Sequence, residues 1–576
     1  MSSFHSSLPK AANANASLHL PCPRPRLLTL DFYRQHSIPH LLTLSRLLLS
    51  RPILYGLGTN LLPMAILQIF LTTVLLAALL TIGGAIRRLF LHPLAHIPGP
   101  RLAALTWWYE FYFDVIQPGK YVFKIQQLHK QYGPIIRVTP DEIHISDVGF
   151  LDTIYAPSSS PRDKYEYQLR TLRVPGGVGT TASLDAHRRR REALAPFFSK
   201  RNVTLLEPTI TEKVQQLCQL LSKHASEQTP VNLSDVFFAF SNDVVNNFLF
   251  SQRTDALSDE QKAATLRHNS YELMMGIHFN KHFPFIPDFL ESLPEFISKP
   301  IMPPGLLDML DLFDRVRAEL VGIIKAKASG AGSDSSSAKS VYHTVLDNPT
   351  LPAPEKALLR LEQEGALLVL AGTESPAKSL NLIFYHLLAN RQIMSKLRQE
   401  LSTVAQPASW TQLERLPYLT AVIEEGHRLS FGVTARTARI ARETLIYSPT
   451  SHAAYSSNIG KSYKIPAGTP MSTTTLSAHT APSVFPRPFV FDPERWLGDE
   501  GRKLQKYHMS FGKGSRKCLG IELARAEMYL VTAALVQGFD MNLRKTEASD
   551  VAFAHDYHVS MPSSRFKGLE ATVTAL

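Results

Sequence analysis

The sequence predicts a mainly α-helical domain with a small β-region, preceded by one N-terminal transmembrane helix. Three observations lead to this fold class. An uncharged, apolar run lies near the N-terminus, at Leu62–Ile82. Strand-like segments are few and short, and the clearest are Ile135–Val138 and Ile143–Ser146. Long stretches of helical character recur later in the chain, at about 354–390, 416–430 and 521–539.

The composition narrows the class of protein. With 576 residues and a hydrophobic fraction of 44%, the chain can bury a large core. Its three cysteines argue against a disulfide framework and favour a reducing compartment. The net charge of +12 is scattered along the chain without a nucleic-acid motif. We therefore expect a membrane surface or an acidic protein as partner, and no nucleic acid.

The N-terminal part divides into an extension and an anchor. Residues 1–60 have no assigned role, although Leu27–Leu57 mixes apolar and basic residues as an interfacial amphipathic segment does. Residues 61–86 are apolar without a polar stripe and are long enough to cross the hydrocarbon core, so they predict a transmembrane helix. Arg87 and Arg88 follow directly, which favours a cytosolic C-terminal side.

A Pro-rich hinge is predicted at residues 87–100, where prolines stiffen the connection to the domain that follows. Residues 101–576 are then one domain. It begins with an aromatic helix near 107–115 and a second helix near 119–132, before the two short strands. The Gly/Ser-rich stretch 328–340 is interpreted as a surface loop between helices.

The longest helical stretch, about 354–390, contains Ala-Gly-Thr-Glu-Ser at Ala371–Ser375, followed by Pro376. Glu374 and Ser375 are an acid and an alcohol that can relay protons. Pro376 has no N–H to donate to the carbonyl of residue 372, so we expect the helix to kink there.

A second constellation consists of Glu425 and Arg428, three residues apart on a helix, where a carboxylate and a guanidinium share a face. Such a pair is common on surface helices. It is followed by Phe-Asp-Pro-Glu-Arg-Trp at Phe491–Trp496, from which Arg495 can join the pair.

The segment Phe511–Gly520 reads Phe-Gly-Lys-Gly-Ser-Arg-Lys-Cys-Leu-Gly and fills every fixed position of F-x-x-G-x-R-x-C-x-G. A thiolate that ligates haem iron needs nearby backbone N–H donors rather than a proton. Cys518 alone would be interpreted as a buried structural cysteine. The complete loop resembles the haem-binding signature of the cytochrome P450 monooxygenases, and the resemblance continues over most of the chain from about residue 87.

This resemblance implies a cytochrome P450 fold and a haem b whose iron takes Cys518 as axial ligand. Phe511 would then cover the sulfur, and Arg516 would reach a haem propionate. Gly512 and Gly514 would let the backbone approach the porphyrin, and Gly520 would allow close contact between helix and haem.

The other motifs also match the family. Ala371–Ser375 resembles the segment of the oxygen-binding groove, so Gly372 would open space beside the iron while Glu374 and Ser375 deliver protons. This chain departs from the common pattern in having serine for threonine. The Glu425, Arg428 and Arg495 network would hold the fold and transform no substrate.

Haem propionates also need cationic partners. His187 and Arg191 are four residues apart in a basic helical segment, at the position where the family commonly places propionate ligands. Arg439 is a further candidate. Lysines near the cysteine loop would suit docking of an acidic flavoprotein, the NADPH-cytochrome P450 reductase, although solvated lysines explain them equally well. They are Lys503, Lys506, Lys513 and Lys517.

The resemblance is closest to fungal secondary-metabolism enzymes of the trichodiene-oxygenase type. It implies insertion of one atom of dioxygen into a lipophilic small molecule, with a terpenoid favoured over a polyketide, at the endoplasmic reticulum membrane with the catalytic domain in the cytosol. The aromatic segment 271–290 would then be a membrane-side access lid. Two alternatives are a haem-thiolate isomerase or dehydratase that needs no reductase, and a non-catalytic haem- or sterol-binding membrane protein.

Overall fold

The structure, a computed structural model, describes residues 61–250, 253–328, 340–453 and 461–576. The predicted extension 1–60 and nearly all of the predicted loop at 328–340 lie outside these residues. The chain divides into two compact units, Met1–Ala78 and Leu79–Leu576. The described part of the first unit is residues 61–78, and all other elements below belong to the second.

The predicted transmembrane segment is a helix, α1 (Leu61–Ile86). Residues 64–83 of this helix are exposed. The stretch Met64–Leu91 has a mean hydropathy of 2.4. Among the described residues it is the one helix whose length and composition suffice to cross a bilayer. The structure thus contains the candidate anchor that the sequence predicts.

The Pro-rich segment is packed into the domain. Leu94 and Ile97 are buried in a core cluster beside the main sheet. The Pro98 carbonyl accepts a hydrogen bond from Arg137 N at 2.8 Å. Any Cβ at Gly99 would lie 2.6 Å from the Arg137 carbonyl oxygen, so only glycine fits this close approach. The connection is stiff because of its contacts as well as its prolines.

The helices of the first half follow the predicted order, although the aromatic helix is broken into a short α-helix and a π-helical turn at Tyr112–Ile116. They are α2 (Arg101–Leu105), α3 (Trp108–Phe111), α4 (Tyr121–Tyr132), α5 (Leu151–Ile154), α6 (Glu166–Leu169), α7 (Leu184–Leu194), α8 (Lys200–Glu227), α9 (Leu233–Leu249), α10 (Glu260–Met275), α11 (Ile277–His282), α12 (Phe285–Ser292) and α13 (Glu295–Ser298).

The helices of the second half include the long stretches predicted from the sequence, with ends that differ by a few residues. They are α14 (Pro304–Ala328), α15 (Val341–Asp347), α16 (Leu358–Ala389), α17 (Arg391–Leu401), α18 (Trp410–Leu413), α19 (Pro417–Ser430), α20 (Thr475–His479), α21 (Gly498–Leu504), α22 (Ile521–Gly538) and α23 (Ala548–Val551).

Helix α16 is the central element of the helical core. Most of its residues are buried, and it packs against α9, α14, α19 and α22. The helix continues from Leu358 to Ala389 through Pro376, where the sequence predicts a kink, and that kink stays a prediction. Packing on several sides supports the helix at a residue that removes one of its hydrogen bonds.

The β-region is small, as predicted. The largest sheet has five strands in the order β1-β2-β8-β5-β3, with β2 and β8 parallel and the other pairs antiparallel. Its strands are β1 (Ile135–Arg137), β2 (Ile143–Ile145), β3 (Arg162–Lys164), β5 (Arg439–Ala441) and β8 (Pro470–Ser472). The smaller sheets contain β4 (Val231–Asn232), β6 (Leu445–Tyr447), β7 (Tyr463–Ile465), β9 (Phe539–Leu543), β10 (His555–Tyr557), β11 (Val559–Met561) and β12 (Glu570–Ala575).

A buried ion cluster joins distant parts of the chain. Lys281 of α11 donates to Glu110 at 2.5 Å and to Asp114 at 2.7 Å. Arg436, just before β5, pairs with Glu110 and with Glu142, the latter at 3.1 Å. All five residues are buried, which is stable only because each charge has a partner of opposite sign.

Candidate haem site

The cysteine loop lies between the strands of the β-region and α22. Cys518 N donates to the Phe511 carbonyl at 2.8 Å, which closes the loop into a tight turn. The Phe511 ring lies edge-on to His427, with ring centroids 4.9 Å apart. Cys518 has accessible surface, although many protein atoms surround it. This burial raises the pKa of its thiol, and the Gly520 N–H lowers it. Accessible surface together with burial fits a thiol in the protein interior that faces open space.

Two glycines of the loop have left-handed backbones that disfavour other residues, with φ of 68° at Gly512 and Gly514. A Cβ at Gly514 would lie 2.1 Å from the Tyr155 carbonyl oxygen. Gly514 therefore allows a close approach of protein backbone, and the expectation that it also permits approach to the porphyrin stays a prediction. At Gly520 no protein atom lies within 4 Å of the Cβ position, which leaves room for a ligand.

Arg516 and Arg439, each predicted to contact a haem propionate, lie close enough for the charge of one to act on the other. The Arg516 guanidinium is buried and donates to the carbonyls of Thr181 and Ala182, both at 2.7 Å, while its Nε has no partner among the described residues. Arg439 donates to the Thr437 carbonyl at 2.6 Å. Burial, and then the charge of Arg439, lowers the pKa of Arg516 to about 9.

Lys164 completes this cation cluster of Lys164, Arg439 and Arg516, and sequence reasoning missed it. It lies opposite Arg439 in the β3–β5 pair. Burial, and then the charges of Arg439 and Arg516, hold the pKa of Lys164 well below its usual value. No sequence motif could have shown this residue, because only the strand register places it beside the two arginines.

His187 is buried next to the cation cluster. Burial, followed by the charges of Arg516 and Lys164, lowers the pKa of His187 to about 2, so the imidazole is neutral. Within the described part of the chain none of the three cations forms an ion pair, and the one carboxylate whose charge acts on the cluster is that of Asp163, near Arg516. Three cations with a single carboxylate nearby favour further anions, so the two carboxylates of a haem fit this cluster.

Arg191 contacts the cysteine loop. Its guanidinium donates to the Lys517 carbonyl at 2.6 Å and to the Cys518 carbonyl at 3.5 Å. Its charge also acts on His187, as do the charges of the cation cluster. That Arg191 holds a propionate stays a prediction, and its contact with the loop is a feature that the sequence did not indicate.

On α16, two predicted residues also have other neighbours. A Cβ at Gly372 would lie 2.5 Å from Val245 Cγ2, so this glycine lets α16 approach α9, and its predicted role beside the iron stays a prediction. Glu374 accepts a hydrogen bond from Ser270 at 2.5 Å and lies 3.8 Å from Lys378. Ser375 is half-buried and is not among the hydrogen-bond partners of Glu374.

The predicted Glu–Arg–Arg network is present. Arg428 donates twice to Glu425, at 2.7 and 2.8 Å, and Arg495 donates to Glu425 at 3.1 Å. The Trp496 indole adds a bond at 2.8 Å. Arg428 also donates to the carbonyls of His479 and Pro488. This buried network fastens α19 to the segment that leads into the cysteine loop.

Among the described residues, no group of three or more His, Cys, Asp or Glu side chains could hold a metal ion. A haem iron needs only one protein ligand, since the porphyrin supplies four nitrogens. The thiol of Cys518 and the nearby cation cluster are the donor set that such a group requires.

A sequence model described as Cytochrome P450 matches residues 100–568. This chain belongs to the cytochrome P450 family. It is a monooxygenase of that family, which uses haem with an axial cysteine thiolate. A solved cytochrome P450 crystal structure has the same fold, with a TM-score of 0.61 and 17% identity over 79% of this chain and 97% of that one.

The relatives of this cytochrome P450 include fungal enzymes. It is 38% identical to the cytochrome P450 monooxygenase tpcC of Cochliobolus heterostrophus, over 84% of this chain and 94% of the relative. It is 35% identical to the cytochrome P450 monooxygenase TRI4 of Trichoderma arundinaceum, over 82% and 89%. The predicted resemblance to the trichodiene-oxygenase type is thereby confirmed.

Proposed function

We propose that this cytochrome P450 is a membrane-anchored enzyme that oxygenates a lipophilic intermediate of secondary metabolism, with Cys518 as the axial ligand. The observation that carries the proposal is the conjunction of a thiol that faces open space with two buried arginines and a half-buried lysine, none of which forms an ion pair within the described residues. A thiolate and two anionic propionates account for both features at once.

The residues of the site have different roles. Haem, when bound, supplies activation of dioxygen. The Gly520 N–H donates toward the Cys518 sulfur and stabilises its thiolate form. The cation cluster would hold the propionates, and Arg191 holds the backbone of the cysteine loop. Glu374 and Ser375 would supply protons for the reaction.

Electrons are proposed to come from NADPH through a separate reductase. Lys517 is exposed beside the thiol. Lys503 pairs with Glu500, and Lys513 pairs with Asp152. The uncompensated positive charge on this side of the loop is therefore smaller than the sequence predicts, and it would speed the encounter with an acidic flavoprotein rather than give high affinity.

An anchor in the endoplasmic reticulum membrane and a lipophilic substrate are supported by apolar surface as well as by α1. Trp108 is exposed on α3, and Phe285 and Phe289 are exposed on α12. The rings of Trp108 and Phe283 lie 6.0 Å apart, so α3 and the segment after α11 form one apolar patch. Such a patch suits contact with lipid near the access to the haem.

The first test is the carbon monoxide difference spectrum of the reduced protein in membranes, with Cys518→Ser and the matched control Cys218→Ser. Cys218 lies half-buried on α8 and packs against the main core cluster. We expect a red-shifted Soret band in the wild type and the control, and its loss in Cys518→Ser. A band that survives this substitution would refute the assignment of Cys518.

The second test concerns the reaction. Membranes with NADPH-cytochrome P450 reductase are given terpenoid and polyketide hydrocarbons under labelled dioxygen. We expect a product that carries one labelled oxygen atom and requires NADPH. Conversion that needs neither NADPH nor reductase would instead support the isomerase or dehydratase alternative. Haem binding without any conversion would support the non-catalytic one.

A further inference from the structure

A single residue, His558, joins strands β10 and β11, because Tyr557 pairs directly with Val559. Its φ of 74° lies in the left-handed region, which few residues other than glycine adopt. His558 N donates to Asp556 Oδ1 at 3.0 Å, and the His558 carbonyl accepts from Thr434 N at 2.9 Å. Thr434 also donates through its hydroxyl to the same Asp556 oxygen, at 2.7 Å. These bonds hold a backbone conformation that is costly on its own and that clusters at ligand sites.

The ring of His558 has no hydrogen-bond partner among the described residues. Nδ1 is buried without a bond. Nε2 has no bond to these residues either, but it retains accessible surface, and the residue as a whole is half-buried. Burial, and then the charge of Lys164, lowers the pKa of His558 to about 4, so the imidazole is neutral near pH 7. Because a neutral imidazole has one donor and one acceptor, Nε2 can bond to a hydroxyl or a carbonyl group.

Charged groups from two parts of the site act on this ring. Lys164 belongs to the cation cluster, and Lys378 lies on α16, one turn beyond Glu374. His278 of α11 acts on it as well. The ring of His558 therefore lies near both the cluster that fits the haem propionates and the helix that carries the predicted oxygen-binding segment. A polar group in this position is placed to meet a molecule that lies beside the haem.

Apolar residues of the hairpin pack in one buried cluster with residues of α10 and α11. The members of this cluster are Met274, Ile277, Tyr557, Val559 and Met561. His558 lies between two of them along the chain. Binding sites for small molecules are mostly apolar, with a few polar groups that fix the orientation of the ligand. A neutral imidazole with an accessible, unpaired nitrogen next to such a cluster has the character of one of these groups.

We propose that His558 is a specificity-determining residue whose Nε2 forms a hydrogen bond with an oxygen atom already present on the substrate. This inference rests on the proposed function and narrows its substrate class to lipophilic molecules that carry a hydroxyl or carbonyl group. Hydrocarbons of the same skeleton bind more weakly, because they leave Nε2 unpaired. The reaction that supplies the substrate then leaves an oxygen on the skeleton, as a hydroxylation or a cyclisation quenched by water does.

The test uses the haem-loaded, full-length enzyme in membranes and pairs of terpenoids, each a hydrocarbon with an oxygenated compound of related skeleton. The pairs are cedrene with cedrol, valencene with nootkatone, and abietadiene with abietadienol. Dissociation constants are taken from the Soret shift on binding. The variants are His558→Gln, which keeps a hydrogen-bonding group, and His558→Leu, which does not. Neither new side chain is β-branched, so both meet similar backbone strain at this positive φ.

His555→Leu is the matched control. His555 lies in the same hairpin, but its ring already has a partner, the Pro118 carbonyl at 2.8 Å. The quantity compared is the ratio of the two dissociation constants within a pair. Because both compounds are measured on the same variant, differences in folding or haem content cancel in this ratio.

In the wild type, we expect the oxygenated compound to bind about tenfold tighter than its hydrocarbon, which is the effect of one hydrogen bond. His558→Leu should bring the ratio to about one by weakening the oxygenated compound alone. His558→Gln should keep part of the preference, and His555→Leu should keep all of it. With NADPH and reductase, His558→Leu should also distribute the new oxygen over more positions of the oxygenated compound.

The inference is overturned if no oxygenated compound binds the wild type, or if the hydrocarbons bind as tightly. It is also overturned if His558→Leu leaves the ratio unchanged and instead loses haem faster, since the ring then serves a propionate. In each of these cases a Soret band that depends on Cys518 and a product that depends on NADPH leave the proposed function standing. If the wild type has no such band and forms no product, the proposed function fails, and this inference fails with it.

Discussion

At the residue scale, the three cations near the cysteine loop affect the haem-loaded and the haem-free protein in opposite ways. Without an anion, Lys164, Arg439 and Arg516 repel one another, and burial makes each charge more costly. With propionates present, the same charges become partners. Each residue therefore stabilises one form of the protein at the expense of the other.

Lys164→Met tests this opposition. We expect haem to transfer to apomyoglobin about tenfold faster, because a charge-assisted hydrogen bond is worth about 1.5–3 kcal/mol. We also expect a higher melting temperature for the haem-free protein, because one buried like charge is gone. Lys130→Met, on exposed α4 surface, should change neither quantity. If Lys164→Met instead lowers the melting temperature of the haem-free protein while haem transfer becomes faster, Lys164 is only a packing residue.

The two left-handed glycines of the cysteine loop should differ in their tolerance of a methyl group. Gly512→Ala meets only backbone strain, about 1–2 kcal/mol, because its nearest neighbour is 4.0 Å away. Gly514→Ala adds a collision with the Tyr155 carbonyl oxygen at 2.1 Å. Soret absorbance per protein should fall modestly in the first variant and nearly vanish in the second. Equal haem content in both would contradict the collision.

At the scale of elements, a pair of buried histidines joins α4 to the main sheet. His129 bonds the Gly133 carbonyl and His144, each at 2.7 Å. The other ring nitrogen of His144, Nε2, accepts a hydrogen bond from Thr474 N at 3.0 Å. This chain of bonds requires both rings to be neutral, with the proton of each on Nδ1. Burial accordingly lowers the pKa of His129 to about 4.

The pair should make stability depend on acidity. A histidine whose folded pKa is depressed stabilises the fold above pH 6.5, and that stability is lost as the pH falls from 6.5 towards about 4. For His129 the full loss is about 3 kcal/mol. In urea unfolding followed by circular dichroism, His129→Gln should have a lower midpoint at pH 7 and a flatter dependence below pH 6.5. If the midpoint of His129→Gln depends on pH below 6.5 as steeply as that of the wild type, the histidine pair is not the cause of the pH dependence.

At the scale of the whole molecule, the buried ion cluster joins segments that are more than 300 residues apart. The substitution Lys281→Met would leave the buried carboxylates of Glu110 and Asp114 with too little positive charge beside them. This loss would lower the free energy of unfolding by about 3–5 kcal/mol. We expect a large fall in melting temperature and earlier proteolysis within residues 277–301. Lys299→Met, which breaks an exposed pair on α13, is the control and should cost less than about 1 kcal/mol.

Motifs of short spacing were predictable from the sequence, and contacts between distant elements were not. The cysteine loop and the Glu425–Arg428 pair are local, so residue order alone indicates their geometry. Lys164 and the contact of Gly372 with Val245 depend on strand register and helix packing. Arg191 lies on the predicted helix, and its contact with the Lys517 carbonyl was not predictable. The basic segment contains several cations, and only the tertiary structure determines which partner each one contacts.

The five-stranded sheet also has a consequence for synthesis. In this order β2 pairs with β8, and β3 pairs with β5. Strands within residues 143–164 therefore cannot complete their pairing until residues 439–472 have been synthesised. A nascent chain leaves the ribosome from its N-terminus, and these early strands then have unpaired edges for most of translation. The cation cluster can assemble only after β5 has emerged. We therefore expect haem capture through this cluster to be a late event in the biogenesis of this protein.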